Sequence, residues 1–156
     1  MSTPHVVSIH TVSEAGKPLD SLRTVNALAG QGLEGDRYAI QIGTFSKPLP
    51  DREVTLIEIE AIDALAREYD TTITPGQARR NIVTRGFPLN HMVGREFTIG
   101  SARFRGIRLC EPCGHLAKLT NDNVRKGLVH RGGLRAQVLQ SGSITVGDPI
   151  AVPSDG

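Results

Sequence analysis

The sequence predicts a mainly β domain, a closed or nearly closed β-barrel with a few short peripheral helices. Three observations point there. Short apolar runs alternate with Gly-marked turns through most of the chain, only one segment keeps helical spacing for long, and no repeat, linker or composition break separates a second unit. The 156 residues are therefore expected to form one domain, residues 1–156. A chain of this size buries roughly 70% of the surface its unfolded form exposes, so a core needs no disulfide or metal staple. With no Trp and only six Phe and Tyr, that core is expected to be Val, Ile and Leu, and aromatic stacking on nucleic-acid bases is disfavoured.

Each element follows from its own pattern. "HVVSIHTV" (5–12) and "SLRTVNAL" (21–28) read as short strands separated by a turn around Gly16 and Pro18. "GQGLEGDRYA" reads as a Gly-punctuated loop. "REVTLIEIEAIDALAREYD" starts β-branched and changes to helical spacing, with Ile59, Ile62 and Leu65 on one face, which predicts a strand at 53–57 running into a helix at about 58–69. Beyond it "RNIVTR", "REFTIG", "ARFRGIRL", "LRAQVLQ" and "SITV" are strand-like, with hairpins expected around Gly100 and Gly142. A helical turn is expected in "CGHLAKLT", where Leu116 and Leu119 share a face.

Charge narrows the function classes. The net charge is +2, but residues 79–135 hold 12 basic and 3 acidic side chains, while residues 1–78 hold 6 and 11. Ten of those twelve bases are Arg, whose planar fork suits oxyanions. A solvated Arg-rich surface explains the bias equally well. No lysine-rich tail or overall basic excess marks a nucleic-acid binder. No apolar run reaches the ~18 residues that cross a bilayer, and the first residues lack a signal pattern, so the expected location is cytoplasmic and away from membranes.

The stretch "RLCEPCGHLAKL" holds both cysteines, Cys110 and Cys113. Three chemistries use such a pair: half of a zinc site completed by His115 or His130, thiol–disulfide exchange with Cys110 attacking, or a single reactive thiolate in an arginine-lined pocket. Two buried apolar cysteines are the plain structural alternative. "GQGLEGD" matches a dinucleotide G-x-G-x-x-G, but neither a following helix nor a parallel β-α-β unit is expected around it, so a nucleotide site is disfavoured.

Six segments in order resemble the MOSC domain, the fold found at the C-terminal end of molybdenum cofactor sulfurases and in small stand-alone bacterial proteins. They are "GLEGDRYA", "REVTLIEIEAI", "ARRNIVTRG", "MVGREFTIGSARF", "CEPCGHL" and "HRGGLRAQVLQSGSITVGDPI", which together span most of the chain. The resemblance implies a β-barrel that binds a molybdopterin cofactor. It implies that Cys113 carries sulfur or ligates molybdenum, that Asp36 and Arg37 orient the pocket, that Arg80 and Asn81 contact the pterin or its phosphate, and that Arg131 and Arg135 line the same cavity. Cys110 gains no role from it. It further implies a small-molecule substrate, either an N-hydroxylated compound that is reduced or an acceptor of sulfur. With four lysines and no desulfurase domain, pyridoxal phosphate is expected only on a partner cysteine desulfurase, and reduction would need a separate electron-donor protein. Outside the resemblance, a thiol–disulfide redox protein and a non-catalytic binder of anionic ligands remain open.

Overall fold

The computed structural model describes residues 3–13, 19–36, 39–40, 53–75, 78–110 and 131–153. The expected turn at Gly16 and Pro18, the helical turn after the cysteines, and Arg37, Cys113, His115 and His130 lie outside them.

The sharpest local transition falls where the pattern changes from β-branched to helical. Strand β5 (Val54–Glu58) leads without a loop into α1 (Ile59–Tyr69). The helix ends at Asp70, whose left-handed backbone (φ 49, ψ 38) turns its N–H back to the Leu65 carbonyl. Ahead of β5 lie β1 (His5–Thr11), β2 (Asp20–Leu22), β3 (Thr24–Leu28) and β4 (Gly32–Leu33). After α1 come β6 (Ile82–Arg85), a 3-10 turn (Leu89–Met92), β7 (Glu96–Ile99), β8 (Ala102–Leu109), β9 (Leu134–Gln140), β10 (Gly142–Thr145) and β11 (Ile150–Ala151).

These strands form an eight-stranded sheet in the order β11-β7-β8-β9-β5-β6-β1-β2 and a three-stranded sheet in the order β10-β3-β4. The fold is mainly β, as the sequence predicts, but among the described residues the strand ladders are open and no barrel is formed by continuous pairing. β1 and the chain ahead of β11 meet at a single bridge, His5 opposite Pro149, with Val6 N–H donating to Asp148 O at 3.0 Å and Ile150 N–H to Pro4 O at 2.9 Å.

The hairpin at Gly100 forms as expected, with Ile99 opposite Ala102. The one expected at Gly142 does not. β9 pairs with β8 and β5, while β10 leaves for the second sheet and pairs with β3, setting Ile144 against Val25. Gly142 permits the departure, because a Cβ there would lie 2.5 Å from the Ser101 carbonyl carbon. The expected strand 21–28 is likewise divided at Arg23, β2 pairing with β1 and β3 with β10. Part of "GQGLEGDRYA" is the short strand β4, and Ala39 and Ile40 are helical, Ile40 N–H reaching Asp36 O at 3.0 Å. β4 is antiparallel to β3, so among the described residues no dinucleotide-type unit surrounds these glycines. A parallel pair does occur elsewhere, β5 with β6, joined by α1.

Alternation along β5 and β6 sends side chains to two cores. Val54, Leu56 and Ile82 enter the main one with Leu134, Ala136 and Val138, whereas Ile57 and Val83 face Ile62 and Leu65 of α1. Aromatic residues are few but central. Phe97 stacks on Phe104 at 5.5 Å and meets Phe87 at 5.6 Å, so the main core is not built from aliphatic residues alone. Among the described residues no helix is long and apolar enough to cross a membrane.

Gly133 shows how closely β9 and β5 approach. Its φ is +110 and a Cβ would sit 1.9 Å from the Leu56 carbonyl oxygen. Gly133→Ala is expected to cost roughly 3 kcal/mol or more in urea denaturation. Gly147→Ala, with φ +96 but open space around it, should cost only the backbone penalty of about 1–2 kcal/mol.

Candidate functional site

The polar centre of the molecule is built by segments far apart in sequence. Asp36 ends the turn that follows β4, its N–H donating to Leu33 O at 3.0 Å, and its carboxylate is buried. Oδ1 accepts from Val12 N–H at 3.0 Å and from the Asn81 amide at 3.2 Å. Asn81 Nδ2 also donates to His10 O at 3.1 Å, and its Oδ1 accepts from Thr55 N–H at 2.9 Å and Thr55 Oγ1 at 3.2 Å. The side-chain amide thereby makes two donor and two acceptor bonds, the full capacity of an Asn. Its main chain joins in, with Asn81 N–H donating to Thr55 Oγ1 at 3.0 Å and Asn81 O accepting from His10 N–H at 2.7 Å.

The arginines named from the sequence divide between this centre and the surface. Arg80 is buried and its Nε donates to Gly132 O at 2.8 Å. Arg135 lies on β9 directly opposite Thr55 of β5, on the same sheet face. Arg131 instead pairs with Glu68 of α1 at 2.8 Å, an exposed ion pair. It borders a cleft of about 270 Å³ that Glu58, Glu60, Arg67 and Asn90 also line. Burial, with Glu60 adding to it, pushes the Glu58 carboxyl above the usual range. Cys110 is a buried free thiol whose backbone N–H bonds to Gly133 O at 2.7 Å, tying the end of β8 to the start of β9. Five of the motif segments thus meet: "GLEGD" touches "RRN" through Asp36 and Asn81, "REVTLIEIEAI" touches it through Thr55, and "RRN" and the cysteine segment both attach to the glycines of "HRGGLRA".

Two buried polar residues receive no role from the motif reading, although both lie in "REVTLIEIEAI". Thr55 is an ordinary strand residue by pattern, and only the chain crossing makes it the partner of Asn81. Glu53 is the other. It is 1% exposed, its Oε1 accepts from Val138 N–H at 2.8 Å, and its Oε2 has no partner among the described residues. Burial raises its carboxyl to about 7 against the opposing pull of that backbone bond. An acid directly before a run as apolar as "VTLI" is the signal that could have found it. His10, also buried, is pushed below its ordinary value by desolvation, and its ring lies 2.8 Å from Ser8 Oγ and 3.2 Å from Ser21 Oγ.

Two outcomes follow from these contacts. Asn81→Ala removes one donor from the buried Asp36 carboxylate, which keeps Val12 N–H, and takes the side-chain acceptor away from the buried Thr55 N–H, so it should lower stability by roughly 2–3 kcal/mol in urea denaturation. Glu53 titrates higher folded (about 7) than its ordinary 4.5, so the folded form binds the extra proton. Its stabilising contribution is full below pH 4.5 and lost as pH rises through 7. Wild type should therefore lose on the order of 3 kcal/mol relative to Glu53→Gln between pH 4.5 and 8, measured by denaturation at each pH.

The comparisons with known proteins agree with this architecture. A family model described as MOSC domain matches residues 25–151. The YuaD protein of Bacillus subtilis superposes with a TM-score of 0.78 at 15% identity, covering 96% of this chain and 94% of that one. YiiM of Geobacillus stearothermophilus gives 0.71 at 19% identity (98% and 76% covered), and YiiM of Escherichia coli 0.68 at 18% (100% and 72%). No curated protein matches in sequence. With the family model spanning β3 to β11, the chain belongs to the MOSC domain family.

Proposed function

We propose that this MOSC-family protein binds a molybdenum cofactor and that Cys113 is its reactive thiolate, ligating the metal or carrying a transferable sulfur. The observation that supports this best is the meeting of "GLEGD", "REVTLIEIEAI" and "RRN" at the Asp36–Asn81–Thr55 centre, beside Arg80 and Arg135. The anchored backbone of Cys110 stands three residues upstream of Cys113.

The donor set fits an anionic pterin. Arginine forks neutralise a phosphate and hydroxyl or amide groups meet polar ring edges. Among the described residues no three His, Cys, Asp or Glu side chains gather to cage a bare ion. In this reading the metal arrives held by its cofactor, with one protein thiolate added, as suits a soft centre. When bound, the cofactor supplies oxygen-atom or sulfur transfer chemistry.

The chain's own residues bind and orient. Asp36 and Asn81 fix the wall of the pocket by locking β1, β5 and β6 together, and Arg37, next to Asp36 in sequence, is assigned to orient the same pocket. Arg80 and Arg135 offer charge, and Arg131 marks the outer edge. The substrate class is an N-hydroxylated compound or a sulfur acceptor. The matching partners are an electron-donor protein in the first case and a pyridoxal-phosphate-dependent cysteine desulfurase in the second. Burial of Cys110 weighs against the alternative of a thiol–disulfide pair, since its thiol is shielded from an attacking substrate.

The test is elemental analysis of protein expressed in cells that make the cofactor. About one molybdenum per chain, lost in Cys113→Ala and kept in Cys110→Ala, supports metal ligation. Cyanide-releasable sulfur without metal, lost in the same variant, supports sulfur carriage. Neither metal nor labile sulfur on the wild type would sink the proposal.

A further inference from the structure

Where the ladder between β5 and β9 stops, a side chain takes over. The last pair among the described residues is Val54 opposite Ala136, yet β9 runs on to Gln140. Val138, two residues beyond that pair, donates its N–H to Glu53 Oε1 at 2.8 Å, and its carbonyl accepts from Gly30 N–H at 3.0 Å. Gly30 lies in the turn from β3 to β4, which Gln31 N–H closes onto Leu28 O at 3.0 Å. One carboxyl and one turn thus satisfy both backbone groups of Val138, and they join the three-stranded sheet to the large one.

The joint leaves little room. A Cβ on Gly32 would lie 2.4 Å from the Glu53 carbonyl oxygen, and Ala29 N–H donates to Ser141 Oγ at 2.8 Å. Glu53 is almost fully buried, and its Oε2 has no hydrogen-bond partner among the described residues. A neutral acid is tolerated there, but a carboxylate would hold a full charge in the interior with a single hydrogen bond. From this joint the chain reaches the candidate site in a few residues. Glu34 N–H bonds to Asn26 O at 2.9 Å, and Asp36, whose N–H bonds to Leu33 O, receives Val12 N–H and the Asn81 amide.

The charged groups around the joint are few. Among the described residues β9 contributes Arg135, opposite Thr55, and β8 contributes Arg103, paired with Glu96, and Arg105. The β3–β4 hairpin contributes Glu34, exposed and bonded to Asn26. Burial is what raises the Glu53 carboxyl, to about 7, with the Val138 bond opposing it.

We propose that Glu53 is a protonation-dependent latch, a positioning residue that holds the β3–β4 hairpin on β9 and thereby regulates the Asp36 side of the candidate site. Ionisation draws the carboxylate toward water and loosens the turn from Val138. The latch rests on the proposed function only in naming the site it serves, because its closing needs neither cofactor nor metal.

The test is amide hydrogen exchange of the full chain between pH 5 and 8, read as protection factors so that the intrinsic pH dependence of exchange is removed. The closed joint keeps the proton up to about 7, whereas an open, hydrated one keeps it only up to the ordinary 4.5. Protection of Gly30 and Val138 N–H in wild type should therefore fall about tenfold per pH unit between 5 and 7 and level off above. Val12 and Asp36 N–H should follow them, and all four should exchange faster than Leu56 N–H in the core of β5. Glu53→Gln, which keeps the shape and the acceptor, should be flat with pH at all four. Glu58→Gln, which removes another raised carboxyl at the far end of β5, should keep the wild-type fall. The latch is overturned by a flat wild-type profile, by a fall that persists in Glu53→Gln or vanishes in Glu58→Gln, or by Val12 and Asp36 amides that ignore pH. Exchange of the four amides no faster than that of Leu56 would overturn it too, since the joint would then open only with the whole domain. Molybdenum content is read separately: protein without metal that shows the fall keeps the latch, and metal-loaded protein without the fall loses the latch alone.

Discussion

The side-chain amide of Asn81 is the contact on which the rest of the structure turns. It sits just ahead of β6, the strand that runs parallel to β5 on one side and antiparallel to β1 on the other. Both ladders end at Ile82, and Asn81 extends the contact, its carbonyl accepting from His10 N–H and its side chain taking Thr55 N–H from β5 and giving to His10 O in β1. A buried amide costs free energy unless its groups are paired, and here all four are. The same side chain holds the Asp36 loop in place, so the junction of the large sheet and the start of the candidate site are one object.

Around that junction the large sheet separates its duties by face. One face of β5, β8 and β9 fills the main core with Val54, Leu56, Phe104, Leu134 and Val138. The other is covered by α1 only along part of its width and elsewhere presents Arg103, Arg105 and Arg108, with Arg135 half-buried among them. A positively charged surface beside a polar centre raises the local concentration of anions. The basic bias between residues 79 and 135 is in this way partly a property of one sheet face, although Arg85, Arg95 and Arg131 lie elsewhere and Arg131 is spent on Glu68.

Glycine makes the close approaches on which both features depend. Gly133 lies against the Leu56 carbonyl and Gly106 against that of Met92, each too near for any Cβ. The first aligns β9 with β5 and so sets Arg135 across from Thr55. The second precedes the bulge in β8 that sets Arg108 opposite Arg135.

By itself the sequence determined what neighbours along the chain can settle. The change of period at "REVTLIEIEAI" marks the passage from β5 to α1 within one residue, and Gly100 closes the β7–β8 hairpin because a two-residue turn needs only local geometry. Ordered motifs identified the family, and with it the residues worth locating. Only the tertiary structure decided which strands pair at a distance. Gly142 looked like a hairpin turn, but β10 lies beside β3 because Ile144 is buried there against Val25, and pairing energy depends on a surface that "QSGSIT" does not encode. The same holds for Asn81, which a strand-end cap would have explained as well. Its four partners come from residues 10, 36 and 55, and hydrogen bonds between such separated segments exist only once the chain has folded. Charge at Arg108 and Arg135 was visible from the start, but their opposition across two strands follows from a single extra residue in a register that no local pattern reveals.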